Sequence, residues 1–261
     1  MSGRPSVAGW TQTGSSHAAR GRETQDAFLA RSVPEQDVLV LAVADGVGSR
    51  DRSALGSRLA VDVACRILAR DAPDPAGPAA VWRDWARAAA TAVADEFRRC
   101  VRALGPDEDG RELATALAAA VVRGPWAGFV AVGDCFAAVR TTAPGADSGG
   151  GTWHLVLPPG NPAALPTAAR SEIRAFALWD PELSGILLAT DGCAPLALER
   201  PDGLGLPDAA GPQPAPAFFA EVARGIRDGG GSAALADLLR AGSAERSADD
   251  LTVLCALTAG P

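Results

Sequence analysis

Residues 38–48 read VLVLAVADGVG: an apolar run, Val38 to Ala44, stops abruptly at Asp45-Gly46. A run this short, rich in β-branched residues and closed by turn chemistry, reads as a buried strand. The same design recurs where Ile186 to Ala189 runs into Thr190-Asp191-Gly192. A carboxylate at the exit of a buried strand is held rigidly, and the Gly after it lets the backbone carbonyl turn toward whatever the carboxylate binds. Two such ends suit a hard cation, although Asp-Gly at a strand end is also the chemistry of an ordinary turn.

Three more Asp sites have a similar placement. Gln25-Asp26 precedes an expected strand, Ala27 to Ser32, and Asp249-Asp250 precedes another, Leu251 to Thr258. Gly133-Asp134 falls at a turn between two strands. If these ends meet, their repulsion needs an answer, because two unit charges about 4 Å apart cost roughly 4 kcal/mol at an effective dielectric near 20. Bound Mg²⁺ or Mn²⁺ would reverse the sign of that interaction, and oxygen-only ligands favour these ions over zinc.

Outward from these sites, period-2 and short apolar segments predict strands at Ala8 to Ser15 and Asp37 to Ala44. Leu55, Leu59, Val63 and Ile67 then recur every four residues, which predicts a helix over Ser53 to Arg70. Asp71 to Pro78 ends it, and a longer helix follows over Ala79 to Leu104, its Trp82 and Trp85 expected in the core. Strands are expected next at Leu113–Arg123, Ala127–Gly133, Cys135–Arg140, Thr152–Leu157, Glu172–Leu178 and Gly185–Ala189, then helices at Ala217–Arg227 and Ser232–Arg240. Thr141–Gly151, Pro158–Pro166 and Pro201–Pro216 read as loops by composition, the last as a Pro/Gly-rich insertion. Strands joined by short turns cannot be parallel, so the order implies antiparallel sheets with helices outside, an α+β layered domain.

The chain has 261 residues, 48% of them hydrophobic, which suffices for a continuous core. Its net charge of −7, from 24 basic and 31 acidic residues, argues against nucleic acid or an anionic membrane as partner. The five cysteines form no C-x-x-C pair and read as small buried hydrophobes of a reducing compartment. The start, MSGRPSVAGW, lacks the apolar core of a signal peptide, and nowhere do 18 apolar residues run together, so a cytoplasmic protein is expected.

Taken in order, QDAF at 25–28, LAVADGVGS at 41–49, LATAL at 113–117, VGDC at 132–135, LLATDG at 187–192 and DDLTVL at 249–254 resemble the successive motifs of the metal-dependent, type 2C protein serine/threonine phosphatases. GSSH at 14–17 is similar to the compact bacterial branch of that family. The resemblance spans nearly the whole chain, and implies a single domain over 1–261 built as a four-layer α/β/β/α sandwich, two antiparallel sheets flanked by helix pairs. It implies hydrolysis of phosphoserine and phosphothreonine by direct attack of a hydroxide that bridges two Mn²⁺ or Mg²⁺ ions. By match of motif, Asp45 would bridge both metals, the Gly46 carbonyl would bind one, and Asp191 and Asp249 would complete the other. Asp26 would act near the first metal through water, Asp134 would help hold a third, weaker ion, and Thr190 would support the ligands without touching metal. Phosphoproteins, with a Ser/Thr kinase or its targets, would be the partners.

Several positions depart from the pattern. Gln25 stands where many relatives carry Glu, which leaves that metal more dependent on water. Val47 follows Asp45-Gly46, so the His that some relatives place there is missing. The position expected for a phosphate-binding Arg falls on Gly21; Arg22 is the first candidate and Arg20 the second. His17 is expected in a structural or hydrogen-bonding role ahead of a catalytic one, and Arg50 and Arg52 either draw phosphate in or are taken up by Asp51 or solvent. Two other readings compete: a phosphatase-fold module that binds without catalysis, which should have lost one of Asp45, Asp191 or Asp249, and a phosphatase with an aspartyl nucleophile, which should show D-x-D where this chain has Ala44-Asp45-Gly46-Val47.

Overall fold

The computed structural model describes residues 5–105, 110–143 and 150–258. In chain order the elements are β1 (Ser6–Gln12), α1 (Ser15–Ala18), β2 (Ala27–Val33), β3 (Val38–Gly46), α2 (Ser53–Leu68), α3 (Ala79–Leu104), β4 (Thr115–Arg123), β5 (Trp126–Val132), β6 (Phe136–Thr141) and β7 (Thr152–Leu157). They continue with β8 (Arg174–Trp179), β9 (Leu183–Ala189), α4 (Ala194–Ala197), β10 (Leu198–Glu199), β11 (Gln213–Pro214), α5 (Pro216–Arg227), α6 (Gly231–Arg246) and β12 (Leu251–Leu257). The chain divides into two compact units, one of residues 25–135 and 160–181, the other of residues 1–24, 136–159 and 182–261. Each is built on a five-stranded sheet, and every strand pairing in both is antiparallel, as the short turns require.

In the first unit the sheet order is β2-β3-β4-β5-β8. Alternate residues of β3, Val38, Val40, Ala42 and Ala44, join Leu117, Ala119 and Val121 of β4 in a core shared with Val61, Ala64 and Leu68 of α2 and Trp82, Val93 and Phe97 of α3. The other alternate set, Leu39, Leu41 and Val43, is also buried, which explains why the run from 38 to 44 shows no polar position. Trp82 is fully buried, stacks on Trp126 at 5.2 Å and donates from its indole to the Asp74 carbonyl, so both tryptophans of the α3 pattern serve packing as expected.

The second unit has the order β1-β12-β9-β6-β7. Phe136, Leu187, Leu251, Val253 and Cys255 meet Phe218, Phe219, Val222 and Ile226 of α5 and Leu235 and Leu239 of α6 in its core. The strand expected over Ala8 to Ser15 instead ends at Gln12, because Gly14 and Ser16 turn aside into α1 and donate their amides to Asp250 and the Ala248 carbonyl. Leu113 belongs to a 3₁₀ turn rather than to β4, and α6 runs beyond the expected Arg240. Pro201–Pro216 is more ordered than its composition suggests: two 3₁₀ turns lead into β11, which pairs with β10. The loop expected over Thr141–Gly151 lies partly outside the described residues, as do the first four residues. Among the described residues no disulfide forms, and no helix is long and apolar enough to cross a membrane.

Candidate active site

In the first unit the acidic motifs converge on one end of the sheet through strand register. Ala27 of β2 pairs with Ala44, and Asp45 and Gly46 pair with Ala116 and Thr115, so Asp26 and Asp45 leave neighbouring strands side by side. Leu117 pairs with Val132, which brings Asp134, two residues past the end of β5, to the same edge. Asp45 and Asp134 each present a carboxylate oxygen within 4.8 Å of the other.

The backbone around them is tightly held. Thr115 donates its hydroxyl to the Asp45 carbonyl at 2.7 Å. The Gln25 carbonyl accepts from the Gly46 amide at 3.2 Å and from the Ser57 hydroxyl at 2.6 Å. A Cβ on Gly46 would lie 2.7 Å from the Gln25 carbonyl oxygen and 2.8 Å from that of Ser53, and Gly46 does not adopt positive φ. Glycine is needed here for close approach, not for the turning freedom that the sequence suggested. Gln25 donates its side-chain amide to the Arg50 carbonyl, which fastens the loop after Asp45. Arg174 donates to the Gly133 carbonyl at 2.7 Å beside Asp134. Arg50, for which phosphate, Asp51 and solvent were the expected alternatives, pairs with Glu112 at 3.8 Å, and Asp51 donates its amide to the same carboxylate. A cavity of about 470 Å³ opens beside this loop, lined by Val47, Arg50, Arg111, Thr167 and Glu172 among others.

The second unit gathers its own acids where β9 ends and β12 begins. Thr190 is fully buried; its amide donates to the Thr252 carbonyl and its hydroxyl accepts from the Thr252 amide, both at 3.1 Å. This places Asp191 against Asp249-Asp250, and Gly192 is required by the contact, since a Cβ there would sit 2.0 Å from the Asp250 carbonyl oxygen. Asp249 accepts from the Asp250 amide. Partial burial, reinforced by the charges of Asp191 and Asp250, pushes the Asp249 carboxyl above the ordinary carboxylate range despite that hydrogen bond. Oδ1 of Asp191 is buried and meets no hydrogen-bond partner among the described residues.

Asp250 is the functional-looking acid that serves structure. It is 3% exposed, accepts the Gly14 amide at 2.7 Å and lies 3.0 Å from Nδ1 of the buried His17. His17 therefore holds the start of the chain to the β12 end, which is the structural role expected of it. Its carbonyl also accepts the amides of Arg20 and Arg22, so both exposed arginines hang from this anchored turn. Sequence reasoning passed over Ser57, Thr115 and Arg174, whose partners are distant backbone carbonyls with no motif to mark them. Gly14 and His17 of GSSH were the available signal for the role of Asp250.

The donors in each unit suit a hard divalent cation: Asp45 and Asp134 offer carboxylate oxygens with no described His or Cys in their group, and in the other unit a buried Asp191 oxygen meets no hydrogen-bond partner among the described residues. The protein phosphatase 2C family profile matches residues 13–240, most of the chain, and the chain belongs to this family of protein serine/threonine phosphatases. Asp249 lies just beyond the matched residues. No curated protein matches the chain in sequence. Among solved structures, the fold is similar to that of the S. agalactiae serine/threonine phosphatase, at 17% identity and TM-score 0.62 over 98% of this chain and 100% of that one. Serine/threonine phosphatase Stp1 from Staphylococcus aureus shares 15% identity at TM-score 0.63, over 99% of this chain and 96% of that one. PppA of Pseudomonas aeruginosa, described as a key regulatory component of T6SS, shares 18% identity at TM-score 0.58, over 98% of both chains.

Proposed function

We propose that the chain is one catalytic domain that hydrolyses phosphoserine and phosphothreonine in cytoplasmic phosphoproteins and depends on Mn²⁺ or Mg²⁺ for activity. The observation that carries this reading is the pair Asp45 and Asp134 within 4.8 Å at one strand-end edge, together with a buried oxygen of Asp191 that meets no hydrogen-bond partner among the described residues. Unneutralised carboxylates at that spacing oppose folding, and a cation removes the opposition.

Asp45 would serve both of two ions, the Gly46 carbonyl would serve one, and Asp191 and Asp249 would complete the other; Asp26 would act near the first through water, and Asp134 would hold a third, weaker ion. When bound, two such ions supply a water acidic enough to attack at neutral pH and screen the charge of the phosphoryl oxygens. The chain's own residues do the rest. The Gln25 carbonyl, fixed by Gly46 and Ser57, and the Thr115 hydroxyl on the Asp45 carbonyl hold the ligand backbone so that little reorganisation accompanies the reaction. Arg22, or Arg20 beside it, would orient the phosphate from the turn anchored by His17. The 470 Å³ cavity beside Val47 would accept residues flanking the phosphorylated side chain. A Ser/Thr kinase or its targets would supply the substrate. No cysteine takes part.

Phosphate release from a phosphothreonine peptide in the presence of Mn²⁺ tests this reading. Activity that disappears on chelation and in Asp45→Ala supports it. A wild-type chain that binds the peptide without releasing phosphate would establish the binding-module alternative in its place, and a trapped phosphoaspartate would establish the aspartyl-nucleophile one.

A further inference from the structure

Arg174 opens β8, where strand register sets it beside Ala131 of β5, just before the turn that carries Asp134. Its Nη2 donates to the Gly133 carbonyl at 2.7 Å, so the guanidinium stands at that turn. The position is fixed from two further sides. A Cβ on Gly160 would come 2.5 Å from the Gly133 carbonyl oxygen and 2.8 Å from Nη2 of Arg174. Gly133 itself has a φ of +88°, and a Cβ on it would stand 2.5 Å from the Ala163 carbonyl oxygen. With backbone packed on backbone and no side chain between, the turn and the guanidinium have little room to separate.

Burial lowers the pKa of the half-buried Arg174, and Cys135 and Asp134 pull it the other way. The guanidinium and the Asp134 carboxylate therefore feel each other's charge. Asp45 presents an oxygen within 4.8 Å of that carboxylate, so without metal two negative groups crowd this edge. A fixed positive charge beside them offsets part of their repulsion. The same charge opposes any divalent cation that comes to share Asp134, because the two cations repel.

We propose that Arg174 is a positioning residue for the reaction, a built-in counter-charge fixed at the Gly133-Asp134 turn that steadies the acids without metal and keeps divalent-cation affinity at Asp134 low. It acts through Asp134 rather than on the substrate, so the inference rests on the reading of Asp134 as a cation ligand. A half-buried guanidinium, partly screened by water, should change that affinity about tenfold.

Titration of the metal-free full chain with Mn²⁺, with the free ion read by EPR, tests the proposal, and urea unfolding of the metal-free protein gives a second readout. Asp134→Asn should lose the weakest class of Mn²⁺ sites. Arg174→Gln should tighten that class about tenfold, whereas Arg174→Lys, which keeps the charge, should stay within about twofold of wild type. Without metal, Arg174→Gln should unfold at lower urea than wild type, and in the Asp134→Asn background it should leave Mn²⁺ binding unaltered. Should Arg174→Gln fail to fold, Arg174→Lys still decides, because a residue that only held the turn would weaken Mn²⁺ binding on losing its planar fork. A Gln variant that binds Mn²⁺ no tighter than wild type, or a Lys variant whose affinity departs from wild type by as much as tenfold, would overturn the proposal and leave Asp134 a ligand. Mn²⁺ binding unchanged in Asp134→Asn would overturn the ligand reading, and this inference with it.

Discussion

At the scale of single residues, the sharpest contrast is between acids that are crowded and thiols that are silenced. Burial pushes the Cys65 thiol up to about 12, helped by the charge of Asp62, and burial likewise raises Cys255. Native protein treated with iodoacetamide at pH 8 should therefore keep both unmodified and retain full phosphatase activity; the half-buried Cys100 is the one expected to react, as peptide mapping would show. For Asp249 the sign runs the other way from a salt-bridged carboxylate. Its folded-state pKa is raised, so metal-free protein is unaffected in acid, loses stability as pH climbs past the ordinary Asp range, and bears the whole loss once the folded group ionises. Metal-free Asp249→Asn should accordingly resist urea better than wild type at pH 7, with the difference gone at about pH 3. A variant less stable than wild type at pH 7 would contradict burial, reinforced by the neighbouring carboxylates, as the cause.

Among the elements, α3 and the junction of β9 with β12 carry the most consequence. Trp82→Ala removes a fully buried ring stacked on Trp126 and an indole hydrogen bond, and should cost about 3–5 kcal/mol in chemical unfolding. Gly192→Ala forces a methyl against the Asp250 carbonyl and should cost about 1–3 kcal/mol while lowering activity, since it parts Asp191 from Asp249. These two elements also differ in how openly the sequence displayed them. The α3 helix was legible from the spacing of its apolar residues, because a helix reports its buried face locally. The end of β1 was not, because Gly14 leaves the strand to donate to Asp250, 236 residues away. Arg50 went to Glu112 for the same reason: its partner comes from a 3₁₀ turn that only the folded chain brings near.

For the molecule as a whole, folding and ligand binding are linked. Any cation that binds the native acids and not the unfolded chain stabilises by mass action, about 2.7 kcal/mol at a hundredfold excess over Kd. Mn²⁺ should raise the Tm of the wild type and much less that of Asp45→Ala; equal shifts would mean the ion acts elsewhere. The net charge of −7 favours basic phosphopeptides through long-range attraction, so at low salt they should be hydrolysed faster than acidic ones, with the gap closing as salt rises. Equal rates at low salt would leave peptide choice to local contacts such as Arg50 and Arg111 in the cavity beside Val47.

Apolar runs, their periods and the Asp-Gly endings were enough to settle the α+β class, antiparallel pairing, both long helices and which strand ends carry acids, because each of these is written in neighbours along the chain. The tertiary structure alone decided why Gly46 and Gly192 must be glycine, and that Asp250 and His17 are braces. Those facts depend on which distant backbone comes within a few ångströms, and strand register in three dimensions, not spacing in one, sets that distance.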